Sequence, residues 1–180
     1  MAPAPDPTRI RLTGSAPREP REIALRPDAD ARAALAAEME VSALRKLSLT
    51  GTLRPVGKRD WALSGVLGAT VVQPCGVTLE PVTTRIDEPV ERRFIAGYQP
   101  PMGAEQEMPE DVEDEPLPDT LDLAVVMAEA LALAIPAFPR ADGVDPVDAG
   151  AVPPGAAPIS DEETKPFAGL ADALKNAKPE

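Results

Sequence analysis

The sequence predicts an α+β fold: a bent antiparallel sheet packed against a buried apolar helix, with a flexible acidic loop and a flexible C-terminal segment. Two patterns lead to this prediction. Between Leu44 and Val71, apolar and polar residues alternate with a period of two, which is typical of half-buried strands. Between Leu121 and Ile135, apolar residues recur at helical spacing. The length of 180 residues suits one domain with attached segments.

The N-terminal part predicts a short strand, an irregular stretch and a helix. Residues 1–7 are rich in proline, and we expect them to be disordered. Residues 8–13 alternate arginine with apolar side chains, which predicts a strand. The prolines that follow indicate irregular chain. Asp28 or Asp30 can then cap an alanine-rich helix that we expect to end near Ser42.

The alternating stretch predicts a long antiparallel hairpin and one more strand. Its turn falls at residues 55–60, and Pro74 marks its end. The alternation places Trp61 and a series of leucines on one face, which therefore forms the sheet side of the core. The further strand covers Val82–Ala96 and is expected to bend at Pro89.

An acidic loop over residues 100–119 separates the sheet from the second helix. From Glu105 through Asp119 there are eight acids and no base, so mutual repulsion should keep this stretch extended. Asp119 or Thr120 is the expected cap of the second helix. Apolar groups lie on several faces of that helix, Val125 among them, so we expect wide burial against the sheet.

The C-terminal part predicts a boundary followed by a separate helix. We expect one α+β domain over 8–139, a flexible linker over 140–164 and a short amphipathic helix over 165–177. Either this helix docks on its own domain or its apolar face enters a groove of a partner protein. That face consists of Phe167, Leu170 and Leu174.

Composition excludes most catalytic chemistry. Without histidine the chain has no Ser-His-Asp or Cys-His pair and no imidazole ligand for a metal. A single cysteine makes neither an internal disulfide nor an all-cysteine zinc site. We therefore expect a protein that is not an enzyme, takes no small-molecule substrate and holds no cofactor or metal.

The chain has no segment typical of export or membrane insertion. Residues 1–7 lack the apolar core of a signal peptide. The longest apolar stretch, Leu123–Ile135, has 13 residues including Glu129, which is too short to cross a bilayer. A cytoplasmic location without membrane contact is the expectation.

Charge is unevenly distributed within the formal net charge of −12. Residues 1–60 hold 11 bases and 8 acids, while residues 61–120 hold 3 and 12 and residues 121–180 hold 4 and 10. A basic head is therefore followed by a strongly acidic remainder, which would attract basic partners and repel bare phosphate. RNA contact is expected to be indirect or weak, and any phosphate contact is expected from basic side chains at Arg9, Arg11, Lys46, Arg54, Lys58, Arg59, Arg92 and Arg93.

Several single residues allow more than one interpretation. Arg85, Arg92 and Arg93 could bind phosphate, but internal pairing with the surrounding acids is the simpler alternative. Glu129 is either a helix-edge carboxylate, exposed or paired with a base, or a group that faces a partner. Cys75 follows the hairpin as a small half-buried turn residue, and the sequence places beside it no group that lowers its pKa or completes a metal site.

Three landmarks in order resemble the bacterial YceD family of large ribosomal RNA subunit accumulation proteins. They are the turn from Gln73 to Pro81, the helix from Leu121 to Pro136 and the terminal Lys165-Pro166-Phe167-Ala168-Gly169 segment. The resemblance implies a cytoplasmic protein without known enzymatic activity. Many family members carry a Cys-x-x-Cys pair in the turn. Here Cys75 matches the first cysteine and Thr78 stands at the second, which puts any metal site in doubt.

The resemblance and the charge pattern together predict a function. We expect a non-enzymatic ribosome-biogenesis factor that supports accumulation of large-subunit ribosomal RNA. It would act as an acidic adaptor for a basic partner, either a ribosomal protein or an rRNA-processing or rRNA-modifying protein. Phe167, Leu170, Leu174 and Glu129 are the expected partner contacts. The alternative is a direct RNA-binding module that uses the basic N-terminal third.

Overall fold

A computed structural model describes residues 8–14, 17–98 and 114–144. The strands are β1 (Arg9–Arg11), β2 (Arg21–Leu25), β3 (Ala43–Val56), β4 (Asp60–Pro74), β5 (Pro81–Ile95), β6 (Asp114–Pro116) and β7 (Thr120–Asp122). The helices are α1 (Ala29–Glu38) and α2 (Leu123–Ala134). The predicted α+β class is confirmed, although one strand pair in the sheet is parallel.

The five-stranded sheet has the order β2-β3-β4-β5-β6, and β1 pairs with β7 separately. All neighbours are antiparallel except β5 and β6, which are parallel. The central ladder is long because the period-two alternation persists through both arms of the hairpin, with Leu49 opposite Leu67 and Leu53 opposite Leu63. All four of these side chains are fully buried.

Close approach of β3 and β4 depends on a glycine pair at the middle of the ladder. Gly51 lies opposite Gly65. A Cβ at Gly51 would lie 2.3 Å from the carbonyl oxygen of Ser64 and 2.5 Å from the Cα of Gly65. Because both obstacles are backbone atoms, no rotamer change relieves the clash, and glycine is required here.

Both helices cover the same face of the sheet. Ala36 of α1 and Leu131 of α2 belong to one core cluster with Trp61, Phe94 and the inward leucines of the strands. Helix α1 contacts β3, while α2 contacts β4 and β5. The opposite face carries short polar side chains such as Thr52 and Ser64 and is covered by no described helix.

Helix α2 is buried less widely than the sequence predicts. Leu123, Val126, Met127 and Leu131 are buried, but Val125 is half exposed, and Leu133 is mostly exposed. A helix that packs on one side of a sheet buries only a stripe, so additional apolar residues remain in solvent.

Other differences concern element boundaries. Helix α1 is capped by Asp28, as predicted, but ends at Glu38, and Glu40 then adopts a left-handed φ of 54°. Helix α2 is capped by Asp122 rather than Asp119 or Thr120, because the chain first pairs with β1. Strand β5 keeps an unbroken ladder to β4 through Pro89, and no described strand pairs with the other edge of β5 there, so no N–H donor is required.

Two short strands lie where the sequence predicts irregular chain. Arg21–Leu25 pairs along β3, and Asp114–Pro116, inside the predicted acidic loop, pairs with Arg93–Ile95. Each is held by the edge of a longer strand, which local propensity does not reveal. The predictions for residues 1–7, for most of the acidic loop and for residues 145–180, including Phe167, Leu170 and Leu174, lie outside the described residues.

Candidate functional site

The eight predicted phosphate contacts do not form one surface. Arg9 and Arg11 lie on β1, in the separate two-stranded sheet, and Arg9 is 3.6 Å from the Asp122 carboxylate. Arg54 lies near the end of β3, while Lys58 and Arg59 lie in the β3–β4 turn. The remaining three, Lys46, Arg92 and Arg93, lie in two quite different charge environments.

Arg92 and Arg93 are neutralised by acids of their own chain. Arg92 donates from Nη1 to Glu115 Oε1 at 2.6 Å and lies 3.6 Å from Glu129. Arg93 is 3.3 Å from Asp114. The Arg92 side chain is only 16% exposed. These pairs attach β6 and α2 to β5, and they correspond to the internal pairing that the sequence allowed for Arg92, Arg93 and Glu129.

Lys46, by contrast, lies in a depression lined by five cations. The depression has a volume of about 330 Å³. It lies where the end of β2 and the start of α1 meet β3 and β5, and no acid is among its lining residues within the described part of the chain. We call it the cationic depression, and its lining side chains are Arg26, Pro27, Arg32, Arg45, Lys46, Leu47, Ser48 and Arg85.

A β-bulge in β3 brings two of these cations to the same face. The β3–β4 register shifts between Leu44 and Lys46, and Leu44 and Leu47 are both buried. Since strict alternation would send one of the two intervening residues inward, the extra residue lets Arg45 and Lys46 both face solvent.

Arg85 reaches the depression by lying across β4. Its guanidinium donates to the Ala69 carbonyl at 3.3 Å, and it pairs bidentately with Asp87. A Cβ at Gly68 would lie 3.0 Å from Arg85 Nη2 and 3.1 Å from Ser48 Oγ, so the glycine leaves space for the guanidinium. The Asp87 carboxylate raises the pKa of Arg85, and Arg85 in turn lowers the pKa of Asp87.

Arg32 enters the depression from the first turn of α1. Its Nη1 donates to the Pro27 carbonyl at 2.7 Å. Its Nε is buried and has no hydrogen-bond partner within the described part of the chain. The sequence does not indicate Arg26, Arg32 or Arg45, and it groups Arg85 with Arg92 and Arg93, because only the tertiary fold brings these four arginines together.

The Cys75 turn is more tightly built than the sequence predicts. Cys75 is fully buried, not half-buried, and its Sγ accepts hydrogen bonds from the amides of Val77 and Thr78 at 3.5 Å and of Ala141 at 3.4 Å. A hydrogen bond from the Thr78 side chain, and then these amides, lower the pKa of Cys75 to about 6 against the opposing effect of burial. The expectation that nothing nearby lowers this pKa was wrong.

The same turn displays apolar side chains in solvent. Leu79 has a φ of 62°, a conformation that leucine rarely adopts, and is 76% exposed. The Gly76 amide donates to the Pro139 carbonyl at 2.9 Å, which holds the turn against the segment that follows α2. In that segment Phe138 is 85% exposed.

The described residues contain neither a clustered set of metal-ligand side chains nor a membrane-spanning helix. They contain no group of three or more Cys, Asp or Glu side chains placed to hold a metal ion. No described helix is long and apolar enough to cross a membrane.

A family model described as Large ribosomal RNA subunit accumulation protein YceD matches residues 63–174. That span runs from near the start of β4 through Cys75, β5 and α2 to Leu174. Comparisons with curated proteins and with solved structures give no significant match.

Proposed function

The chain belongs to the YceD family of large ribosomal RNA subunit accumulation proteins, and on that basis we propose that it acts as an acidic adaptor for a basic protein. The family places it in accumulation of large-subunit ribosomal RNA. In this proposal the protein is a non-enzymatic, cytoplasmic factor that captures a ribosomal protein or an rRNA-processing or rRNA-modifying protein.

The observation that most supports a protein partner is the pair of exposed apolar side chains at the Cys75 turn. Leu79 and Phe138 lie on two segments joined by hydrogen bonds, and both are largely in solvent. Left-handed backbone at Leu79 carries a conformational cost of about 1 kcal/mol. Exposed apolar groups on a rigid support are typical of binding surfaces rather than of free monomers.

The charge of the chain favours a basic partner. Residues 61–120 and 121–180 are both strongly acidic, and the arginines of β5 are paired with their own acids. Such a field accelerates encounter with a cationic protein and repels anionic ones. The apolar pair would then supply the contacts that slow dissociation.

Affinity capture of the full chain from cells tests this proposal. We expect a basic protein that remains after ribonuclease treatment and dissociates as salt rises. Leu79→Ser and Phe138→Ser should each reduce its recovery about tenfold or more. Val125→Ser is the matched control, because Val125 is also an exposed apolar residue but lies on α2.

Two results would contradict the adaptor role. One is capture of RNA alone, with every co-purified protein lost after ribonuclease. The other is equal recovery of the partner by wild type and by both turn variants. Removal of residues 165–180 tests whether the C-terminal face of Phe167, Leu170 and Leu174 also contacts the partner. If capture is unchanged, the partner binds only to the rest of the chain.

A further inference from the structure

We propose that the cationic depression binds the phosphate backbone of RNA. The inference goes beyond the adaptor role, since it uses no residue of the Cys75 turn. Its basis is the convergence of Arg26, Arg32, Arg45, Lys46 and Arg85 on one concave surface of a protein whose net charge is −12.

The clustering of these cations has no explanation in the stability of the free domain. Five like charges within one depression repel one another, and Asp87 balances only Arg85. Elsewhere the same chain pairs its arginines with acids, as at Arg92 and Arg93. A bound polyanion would neutralise these charges and so relieve the repulsion. The cations are therefore explained if this surface holds such a ligand.

The chemistry of the lining matches phosphate. Four of the five cations are arginines, whose planar guanidinium presents paired N–H donors to phosphate oxygens. Ser48 adds a neutral hydroxyl to the lining, and this hydroxyl donates to the Gly68 carbonyl at 3.5 Å.

The shape and composition favour backbone recognition over base recognition. Among the described lining residues there is no aromatic side chain on which a base could stack. On the adjoining outer face of the sheet, Ser48 and Thr70 are short, and the Arg85 guanidinium lies over Gly68, where it can meet a phosphate rather than a base. We therefore expect binding that tolerates sequence and depends steeply on salt.

The test is to titrate the full chain into a fluorescently labelled single-stranded RNA of about 20 nucleotides at low ionic strength and to measure the affinity by fluorescence anisotropy. The variant Arg45→Gln/Lys46→Gln should bind at least tenfold more weakly. Its slope of log affinity against log salt should be shallower by about 1.4, since each lost phosphate contact removes about 0.7. The double variant Lys58→Gln/Arg59→Gln is the matched control, because it removes the same charge from the turn at the other end of β3.

The outcomes separate three interpretations. A loss in the Arg45/Lys46 variant with less than a twofold change in the control supports the depression as the site. Equal losses in both variants would mean diffuse attraction to the basic head and would overturn the proposal. No RNA binding by wild type, or tighter binding of a phosphoserine peptide through the same residues, would overturn it as well. Single variants Arg26→Gln and Lys46→Gln provide the same comparison if the double variant does not fold.

Discussion

Two clusters of arginine in this domain deal with charge in opposite ways. At the β5–β6–α2 junction, Arg92 and Arg93 meet Glu115, Glu129 and Asp114 within 4 Å. In the cationic depression, Arg45 and Lys46 face solvent among other cations. The first arrangement connects elements of the fold. The second has a cost that the fold itself does not offset, which is the behaviour expected of a binding site.

The contrast shows how much local sequence reveals about a charged residue. Arg92 lies in an acidic segment, so pairing within the chain could be anticipated from composition. The depression could not be anticipated, because its cations come from α1, β3, β5 and the segment that follows β2. Only the β-bulge at Arg45 and the space above Gly68 turn four separate arginines and a lysine into one surface.

The largest expected effect comes from removing the charge that joins three elements. Arg92→Gln takes from Glu115 and Glu129 the guanidinium that both approach and should destabilise the domain by about 2 kcal/mol. Urea unfolding of the full chain measures this. Arg93→Gln is the control, since its side chain is about half exposed and its single ion pair should contribute below about 1 kcal/mol. Equal losses in the two variants would refute the distinction.

The regular part of the fold follows from the sequence more closely than the sites do. The period-two alternation identifies β3, β4 and the face that carries Trp61. This works because alternate residues of a strand lie on opposite faces, so a buried face requires an apolar residue at every second position. Strands β2 and β6 are not predicted from the sequence, because each is short and forms only by pairing with the edge of a longer strand. The exposed position of Leu79 is not predicted either. A left-handed backbone is usually indicated by glycine, and leucine gives no such signal.

A third way to accommodate charge is seen at Cys75, where neutral donors stabilise an anion. The pKa of Cys75 is lowered from 9.0 to about 6, first by the Thr78 side chain. Because the folded-state pKa is the lower one, the thiolate's contribution to stability is complete above the unfolded-state value and is lost as pH falls through about 6. The unfolding free energy should therefore carry a component that rises from about pH 5 to about pH 9.

Thr78→Val tests this assignment. The variant should raise the pKa of Cys75 and reduce the pH-dependent component of stability, since one of several donors is lost. Thiolate ultraviolet absorbance during a pH titration measures the pKa, and thermal unfolding at the two pH extremes measures the stability. Thr78→Ser keeps the hydroxyl and should behave as wild type. An unchanged titration in the valine variant would mean that the backbone amides alone set the pKa.

The smallest expected effect is also the most informative about the depression. In the absence of RNA, Arg45→Gln/Lys46→Gln should leave stability unchanged or raise it by about 0.5 kcal/mol at low ionic strength, because like-charge repulsion is relieved. The difference should disappear in concentrated salt, where exposed charges are screened. Urea unfolding at two ionic strengths measures both values. A loss of stability on removing these charges would mean that the cations hold the domain together, and the contrast with Arg92 would fail. A gain, together with weaker RNA binding, would mean that the fold tolerates this repulsion for the sake of a ligand.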